Sequence, residues 1–340
     1  MSIFERDLEE TVAALIAPGK GILAADESVG TIEKRFKSVN VVSTQESRRD
    51  YRELLFSTPG LSDFISGVIL FDETLKQKNT VGVPLPDLLK TQGMIPGIKV
   101  DIGTVSLPGF PGEKITEGLD GLAKRLNDYK QLGARFAKWR AVLTIDEGLP
   151  SSQGIAANAY VLARYAAICQ AVGLVPIVEP EILMDGDHTL ETCGSITEHV
   201  LHTVFHALHA QRVMLELMIL KPNMVVPGSL CKVQASPQQI AHATLTCFRR
   251  TVPAAVPGIN FLSGGQTDAA ATANLNAMNA EVTHPWNVSF SYGRALQSTA
   301  IQAWAGEVAN KEVAQQALYR RARLNSAAVL GSYSAEMEED

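Results

Sequence analysis

Eight short apolar runs recur along this 340-residue chain, and their alternation with helical segments constrains its fold more than any other feature. The runs span residues 19–26, 64–75, 93–103, 133–143, 173–183, 213–225, 256–265 and 286–295. Helical periodicity fills most of the intervals, at 46–56, 117–131, 153–170, 197–210, 237–250 and 267–278. This alternation is typical of parallel strands joined by helical crossovers. A repeat of about 40 residues predicts an α/β fold, a (β/α)8 TIM barrel, with a doubly wound open sheet as the alternative.

The chain shows no internal sequence repeat and no Gly/Ser-rich or Pro-rich linker, so we expect a single domain over residues 1–340. An N-terminal segment (1–18, helical over about 3–17) precedes the barrel at 19–295. C-terminal helices at 296–331 follow, and the acidic tail, 332–340, is expected to be mobile.

The composition excludes several classes of protein. A net charge of −6, with no Lys/Arg run, argues against nucleic-acid binding. The acidic N-terminus has no apolar core of a signal peptide, and no apolar stretch looks long enough to span a membrane. The four cysteines form no CxxC pair, which predicts reduced thiols in a cytoplasmic protein.

Charged side chains stand late in the strand-like runs. They are Asp26, Lys99, Asp101, Lys138, Arg140, Glu179 and Glu181, and those two apart in sequence share a strand face. The carboxyl ends of barrel strands build the active site, so these charges predict a catalytic cluster there. The alternative is a ring of salt bridges that closes the barrel mouth without chemistry.

Lys221 ends the apolar run 213–220, where Pro222 terminates strand pairing. Desolvation at the end of a buried strand favours the neutral amine, the nucleophile that forms a Schiff base with a carbonyl. We expect Lys138 to be its neighbour at the strand ends. A second cation nearby would lower the pKa of Lys221 and prepare it to act as a nucleophile. Taken alone, Lys221 is better explained as a strand-end lysine that reaches solvent, and it is the rest of the chain that favours the nucleophile.

Two loops have the composition of phosphate sites. Residues 262–265 supply Ser263, Gly264 and Gly265 before a helix, and residues 291–294 supply Ser291, Gly293 and Arg294. They follow the seventh and eighth strands, where barrels often bind phosphate.

Two further polar groups are weaker signals. Lys34 and Arg35 form a basic pair that fits equally a solvated helix face. His199, His202, His206 and His209 line one helical stripe, but no HExxH carboxylate accompanies them. We interpret the stripe as an exposed face and expect no metal site.

Six ordered segments resemble the motifs of class I (Schiff-base, metal-independent) fructose-bisphosphate aldolases. They lie at residues 21–28, 136–140, 178–182, 220–224, 261–266 and 290–297. The resemblance runs from about residue 4 to about residue 333 and covers nearly the whole chain. It implies reversible cleavage of fructose 1,6-bisphosphate to dihydroxyacetone phosphate and glyceraldehyde 3-phosphate in glycolysis and gluconeogenesis, without a cofactor or metal. It also implies a cytoplasmic homotetramer.

The resemblance implies roles residue by residue. Lys221 matches the Schiff-base lysine, Glu179 the acid/base, and Asp26 the aspartate that assists cleavage of the C3–C4 bond. Lys138 matches the lysine beside the nucleophile, and Glu181 an orienting carboxylate. The C1-phosphate site matches Ser263, Gly264, Ser291, Gly293 and Arg294, with Gly265 beside it. The C6-phosphate end or the rim matches Lys99, Arg140, Ser28 and Arg35.

Two departures from the family pattern stand out. Animal members end in a tail tyrosine implicated in proton exchange, whereas the last tyrosine here is Tyr333, so we expect Glu179 or water to act instead. Leu217 and Met218 replace a small Gly-Thr pair, which predicts a bulkier wall beside Lys221.

Two other functions remain open at this point. The first is another Schiff-base barrel enzyme, transaldolase-like or acting on a ketoacid. Such an enzyme needs one phosphate site or none, so two phosphate sites favour the aldolase. A catalytically idle relative used for binding would be expected to lose Lys221, Glu179 or Asp26.

Overall fold

Eight parallel strands close into a barrel in a computed structural model that describes residues 4–281 and 283–339. The strands are β1 Gly21–Ala25, β2 Ile65–Leu70, β3 Ile95–Lys99, β4 Phe136–Leu143, β5 Val175–Ile182, β6 Ile219–Leu220, β7 Gly258–Phe261 and β8 Asn287–Tyr292. β1 pairs with β2 on one side and with β8 on the other, where Ile22 faces Ser291. This closure confirms the predicted (β/α)8 TIM barrel and excludes the open sheet.

The helices are α1 Glu5–Leu15, α2 Val29–Lys37, α3 Gln45–Phe56, α4 Asp72–Lys76, α5 Leu85–Thr91, α6 Leu122–Gln131, α7 Ser152–Val172, α8 Leu190–Ala210, α9 Pro237–Thr251, α10 Asp268–Glu281, α11 Arg294–Trp304 and α12 Lys311–Val329. A hairpin of Thr104–Ser106 and Lys114–Thr116 lies between β3 and α6. The predicted start of the N-terminal helix at residue 3 and the tail end at residue 340 lie outside the described residues.

Some element bounds differ from the sequence pattern. The apolar run 213–225 predicts a long strand, but β6 holds two residues and follows a 3-10 turn at Leu215–Leu217. The run 64–75 stops being strand at Leu70, because Asp72 begins a short helix. Apolar content marks burial in both places, and it does not distinguish a strand from a buried turn.

The lower half of the barrel interior is apolar. Its side chains pack with Leu15 and other residues of α1, which closes the amino-terminal end of the barrel. They include Ile22, Ile69, Phe136, Val175, Ile177, Leu217 and Ile219. Phe136 occupies space left by Gly97, where an added Cβ would overlap the Phe136 ring. A second, larger cluster lies between the outer strand faces and the helices.

One helix corrects the expectation that no apolar stretch is long enough for a membrane. α7 has 21 residues, and its most apolar 18-residue stretch has a mean hydropathy of 1.2. By length and composition alone, this helix is long and apolar enough to cross a membrane. Half of that stretch is buried, and the helix packs against β4, β5 and α8. Length and hydropathy are therefore explained by its place in the barrel wall.

The acidic tail makes specific contacts after α12. Residues Ala335–Glu338 form a 3-10 turn, and Glu338 accepts two hydrogen bonds from Arg321, at 2.6 and 2.7 Å. Tyr333 donates to the same carboxylate at 3.1 Å. The mobility of the segment stays a prediction.

Candidate active site

A cavity of about 1300 Å³ opens at the carboxyl ends of the strands. Every predicted site residue lines it: Asp26, Ser28, Arg35, Lys99, Lys138, Arg140, Glu179, Glu181, Lys221, Ser263, Gly264, Gly265, Ser291, Gly293 and Arg294. Strand alternation explains why these positions converge. In β4, Lys138 and Arg140 point inward while Trp139 packs in the outer core.

Four charged side chains form the cavity floor. Lys138 Nζ lies 2.8 Å from Asp26 Oδ2 and 3.1 Å from Glu179 Oε2. Lys221 Nζ lies 3.2 Å from the other oxygen of the same carboxylate, Glu179 Oε1. The two lysines are each only 3% exposed. They are therefore neighbours, as predicted, and one carboxylate joins them.

The charges on the floor stabilise one another in the ionised form. Burial alone would raise the pKa of Glu179, but Lys138, Lys221 and Arg140 outweigh it and lower that pKa. The pKa of Asp26 is likewise lowered, since Lys138 and Lys221 overcome its desolvation. Burial would lower the pKa of Lys138, yet the carboxylates around it raise that pKa. Asp26, Glu179 and Lys138 are therefore charged at neutral pH.

Glu179 has unused capacity to accept a hydrogen bond. Within the described residues, its Oε2 makes the ion pair with Lys138 but no aligned hydrogen bond. A buried, ionised acceptor of this kind can receive a hydrogen bond from a bound hydroxyl.

Two more ion pairs line the wall beside the floor. Lys99 Nζ contacts Asp101 Oδ1 at 2.5 Å and the Asp101 carbonyl at 2.8 Å. Arg140 pairs with Glu181, which is itself buried. Both cations are held in place by a neighbouring carboxylate and face the cavity.

The two predicted anion loops lie on neighbouring strands. Ser291 at the end of β8 is 1% exposed, and its hydroxyl has no hydrogen-bond partner among the described residues. Gly264 follows β7 with a φ of +56°, a left-handed conformation that favours glycine. Gly265 leaves room for Met184, whose sulfur would lie 2.9 Å from an added Cβ. Arg294 is exposed at the start of α11 and forms no ion pair within residues 4–281 and 283–339.

With the site described, similarity to known proteins identifies its type. Residues 7–340 match the family model described as fructose-bisphosphate aldolase class-I. The chain belongs to the class I fructose-bisphosphate aldolase family. A probable class 1 aldolase of Xanthomonas campestris is 55% identical, and the match covers 96% of this chain and 98% of that protein. The cytosolic fructose-bisphosphate aldolase 6 of Arabidopsis thaliana is 54% identical, with coverage of 98% and 94%.

A solved structure shares the whole fold. The aldolase of Plasmodium falciparum, solved in a ternary complex with TRAP and a small-molecule inhibitor, superposes with a TM-score of 0.96. It is 51% identical and covers 97% of this chain, which covers 96% of it. Class I fructose-bisphosphate aldolases are lyases, and membership implies sugar bisphosphate and triose phosphate substrates.

The site of this family member contains a buried network that the sequence did not reveal. Glu27 accepts from Arg35 and from the buried Arg52, and Gln297 donates to Glu27 at 3.0 Å. Arg35 thereby lies beside Gly293, 3.6 Å from the position of a Cβ there. The sequence pattern places Asp26 at the end of β1 facing the site and therefore gives no role to Glu27, its neighbour in the chain. In α3, the sequence does not distinguish Arg52 from arginines on the surface.

The cavity also extends further than the aldolase motifs. Its edge includes Phe71, Asp72, Arg125 and Tyr129, of which Tyr129 donates to Asp72 at 2.9 Å. These residues lie outside the motifs, and no local pattern points to them.

The expectation about Leu217 and Met218 is wrong. Leu217 packs in the apolar cluster under α1, and Met218 packs in the outer core, so neither lines the cavity. Leu217 and Lys221 share the inward face, but four residues of extended chain separate them by roughly 13 Å. Leu217 therefore fills the opposite end of the barrel, and Met218 packs outside the barrel against the helices.

The histidine stripe on α8 is exposed, as the sequence predicts. Among residues 4–281 and 283–339, no group of three or more His, Cys, Asp or Glu side chains is arranged to hold a metal ion. The four cysteines are free.

Proposed function

We propose that this chain cleaves fructose 1,6-bisphosphate reversibly to dihydroxyacetone phosphate and glyceraldehyde 3-phosphate through an imine on Lys221. The observation that carries the proposal is the buried arrangement in which Glu179 joins Lys221 and Lys138 under the cavity. A nucleophile, a base and a second cation lie within one ion-pair network, which is what imine chemistry requires.

The first step forms a covalent bond between substrate and enzyme. Lys221 Nζ gives a proton to Glu179, 3.2 Å away, and the neutral amine attacks the C2 carbonyl. One proton from the attacking nitrogen and the proton held by Glu179 pass to the C2 oxygen, which leaves as water, so that a protonated imine remains and Glu179 is a carboxylate again. Lys138 keeps a positive charge beside the site and stabilises the negative charge that develops on the C2 oxygen.

The second step breaks the carbon–carbon bond. Glu179 accepts the proton of the C4 hydroxyl, the C3–C4 electron pair moves to the imine, and the aldehyde leaves as glyceraldehyde 3-phosphate. Asp26 lies on the other side of Lys138 and assists this step from the C3–C4 side. Protonation of the enamine at C3, by Glu179 or by water, and hydrolysis then release dihydroxyacetone phosphate and regenerate the amine of Lys221.

Phosphate binding at both ends keeps the scissile bond in register. Among the described residues, the Ser291 hydroxyl has no hydrogen-bond partner and Arg294 forms no ion pair. Together with the backbone N–H groups of 263–265, these two side chains suit one phosphate. Lys99 and Arg140 suit the other, with Ser28 and Arg35 at the rim. Two anchors of this kind convert binding energy into orientation of the reacting atoms.

Further properties follow the family. We include in the proposal a role in glycolysis and gluconeogenesis, a cytoplasmic location, a single domain and a homotetramer. The proposed reaction uses no metal and no cofactor. The free cysteines and the relation to a cytosolic Arabidopsis aldolase support the location.

The test is reductive trapping of the imine. The protein is treated with dihydroxyacetone phosphate and borohydride in the presence of EDTA, and the modified peptide is mapped by mass spectrometry. We expect a single adduct on Lys221, none in Lys221→Met, and an unchanged adduct position in Lys99→Met, which removes another cavity lysine. An adduct on Lys138, or none, would overturn the mechanism.

A further inference from the structure

The tail contact of Glu338 connects to both anion loops through one buried arginine. Arg321 on α12 is 4% exposed, and its Nη1 binds both oxygens of Glu338. Its Nη2 donates to the Asp268 carbonyl at 3.0 Å and to the Thr272 hydroxyl at 2.6 Å. Arg321 therefore joins the tail to the first turn of α10, directly after the loop that holds Ser263.

The first turn of α10 also connects to the other loop. The Asp268 carboxylate accepts a hydrogen bond from Ser298 on α11, the helix that begins at Arg294. Asp268 thus links α10 and α11, the two helices that begin at or directly after the two anion loops. Arg321 in turn binds the backbone carbonyl of Asp268.

A second set of contacts fixes the loop itself. Asn274 on α10 donates to Gln266 at 2.6 Å, and Gln266 donates to the Ser263 carbonyl at 3.1 Å. A shift of α10 is therefore transmitted to the serine of the anion loop through hydrogen bonds with defined geometry.

Arg321 depends on Glu338 for its position. Among the described residues, Glu338 makes the one ion pair of Arg321, whose other acceptors are neutral. A buried guanidinium without a counter-charge is costly, and a cation beside a helix amino end is also opposed by the helix dipole. Without Glu338, Arg321 would move toward solvent and release the first turn of α10.

We propose that Glu338 is a positioning residue: through Arg321 and Asp268 it holds the two anion loops at the spacing that one phosphate group requires. The inference rests on the proposed function for the identity of the ligand, a phosphate monoester of a ketose. Glu338 does not line the cavity, so it acts through Arg321.

The test separates the phosphate end of the ligand from the carbonyl end. Glu338→Gln is compared with wild type and with Glu336→Gln, which removes an equal charge from the same turn. Glu336 is exposed, and within the described residues its carboxylate accepts one hydrogen bond, from Ser334, so it is a matched control. The concentration dependence of borohydride trapping is measured with dihydroxyacetone phosphate and with dihydroxyacetone, which lacks the phosphate. Binding of inorganic phosphate is measured by calorimetry.

We expect Glu338→Gln to weaken the binding of dihydroxyacetone phosphate and of inorganic phosphate by between about threefold and tenfold. The binding of dihydroxyacetone should be unchanged. Glu336→Gln should behave as wild type with all three. Equal weakening of both ketones would indicate general loosening of the site, and unchanged or tighter phosphate binding would exclude the positioning role. If wild type forms no imine, the proposed function fails, while the phosphate calorimetry still tests the role of Glu338.

Discussion

The two ends of the barrel interior use the same strands for opposite purposes. On the inward face of β5, Val175 and Ile177 pack in the apolar cluster near α1, and Glu179 and Glu181 stand above them in the cavity. The lower end gains free energy from burial of apolar surface. The upper end concentrates buried charge, for which ion pairs only offset the cost of desolvation. Stability and chemistry are therefore separated along a few residues of one strand.

The largest effect expected at the upper end is loss of activity without loss of stability. Lys221→Met should lower kcat by at least about 10⁴-fold, because no imine can form. Glu179 keeps Lys138 as a partner at 3.1 Å, so no carboxylate is left unpaired. Removing one partner of a buried ion pair is costly because it leaves the other charge uncompensated, and the remaining Lys138–Glu179 pair avoids that cost here.

Steady-state kinetics and urea unfolding check this prediction together. Substantial residual turnover would mean that another lysine forms the imine. A large drop in the free energy of unfolding would show that the two ends are not separate in function.

The reverse result is expected at the lower end. Phe136→Ala should lower the free energy of unfolding by about 3–5 kcal/mol, because it opens a cavity beside Gly97 that the backbone cannot fill. The folded enzyme should keep its kcat, since Phe136 does not line the active-site cavity. Activity is measured well below the unfolding midpoint, and a change in kcat there would contradict the separation.

The pH dependence of stability should also distinguish the charged upper end of the barrel from the apolar lower end. Asp26, Glu27 and Glu179 have pKa values lowered by their cationic neighbours, against the effect of burial. Carboxylates with a pKa lower in the folded state contribute stability above their unfolded pKa, about 4, and that contribution is lost as the pH falls through the folded values. We therefore expect a flat stability profile from pH 7 to about 5 and a steep decline below about 4.

Variants show which end causes the decline. Asp26→Asn should reduce its slope, and Phe136→Ala should lower the whole curve with the slope unchanged. Asp87→Asn, which removes an exposed carboxylate paired with Lys90, is the control and should have no effect on the slope. Urea unfolding at a series of pH values measures all four proteins, and an equal slope in Asp26→Asn would contradict the assignment.

Sequence patterns predict the upper end well for a definite reason. Alternation along a strand fixes which side chains face inward, so the pattern alone assigns Lys138, Glu179 and Ser291 to one site. The resemblance to a family supplies their expected roles. The barrel itself follows from the number and spacing of apolar runs.

The residues that sequence patterns miss depend on contacts between distant elements. Arg52 and Arg321 are buried arginines in helices, and only packing against Glu27 and Glu338 distinguishes them from solvated ones. Leu217 is expected at the wrong end of the barrel, because the sequence does not show that β6 is preceded by a 3-10 turn at the lower end.

Two serines on β8 provide the finest comparison between the ends. Ser291 has no hydrogen-bond partner among the described residues, whereas Ser289, one pleat below, donates to the Lys20 carbonyl at 2.7 Å. Ser291→Ala should leave stability unchanged and raise KM for fructose 1,6-bisphosphate by between about twofold and tenfold, the value of one hydrogen bond. Ser289→Ala should do the opposite: it should lower the free energy of unfolding by about 1 kcal/mol and leave KM unchanged. Kinetics and urea unfolding of both variants test the pair. An unchanged KM in Ser291→Ala would remove that hydroxyl from the phosphate site.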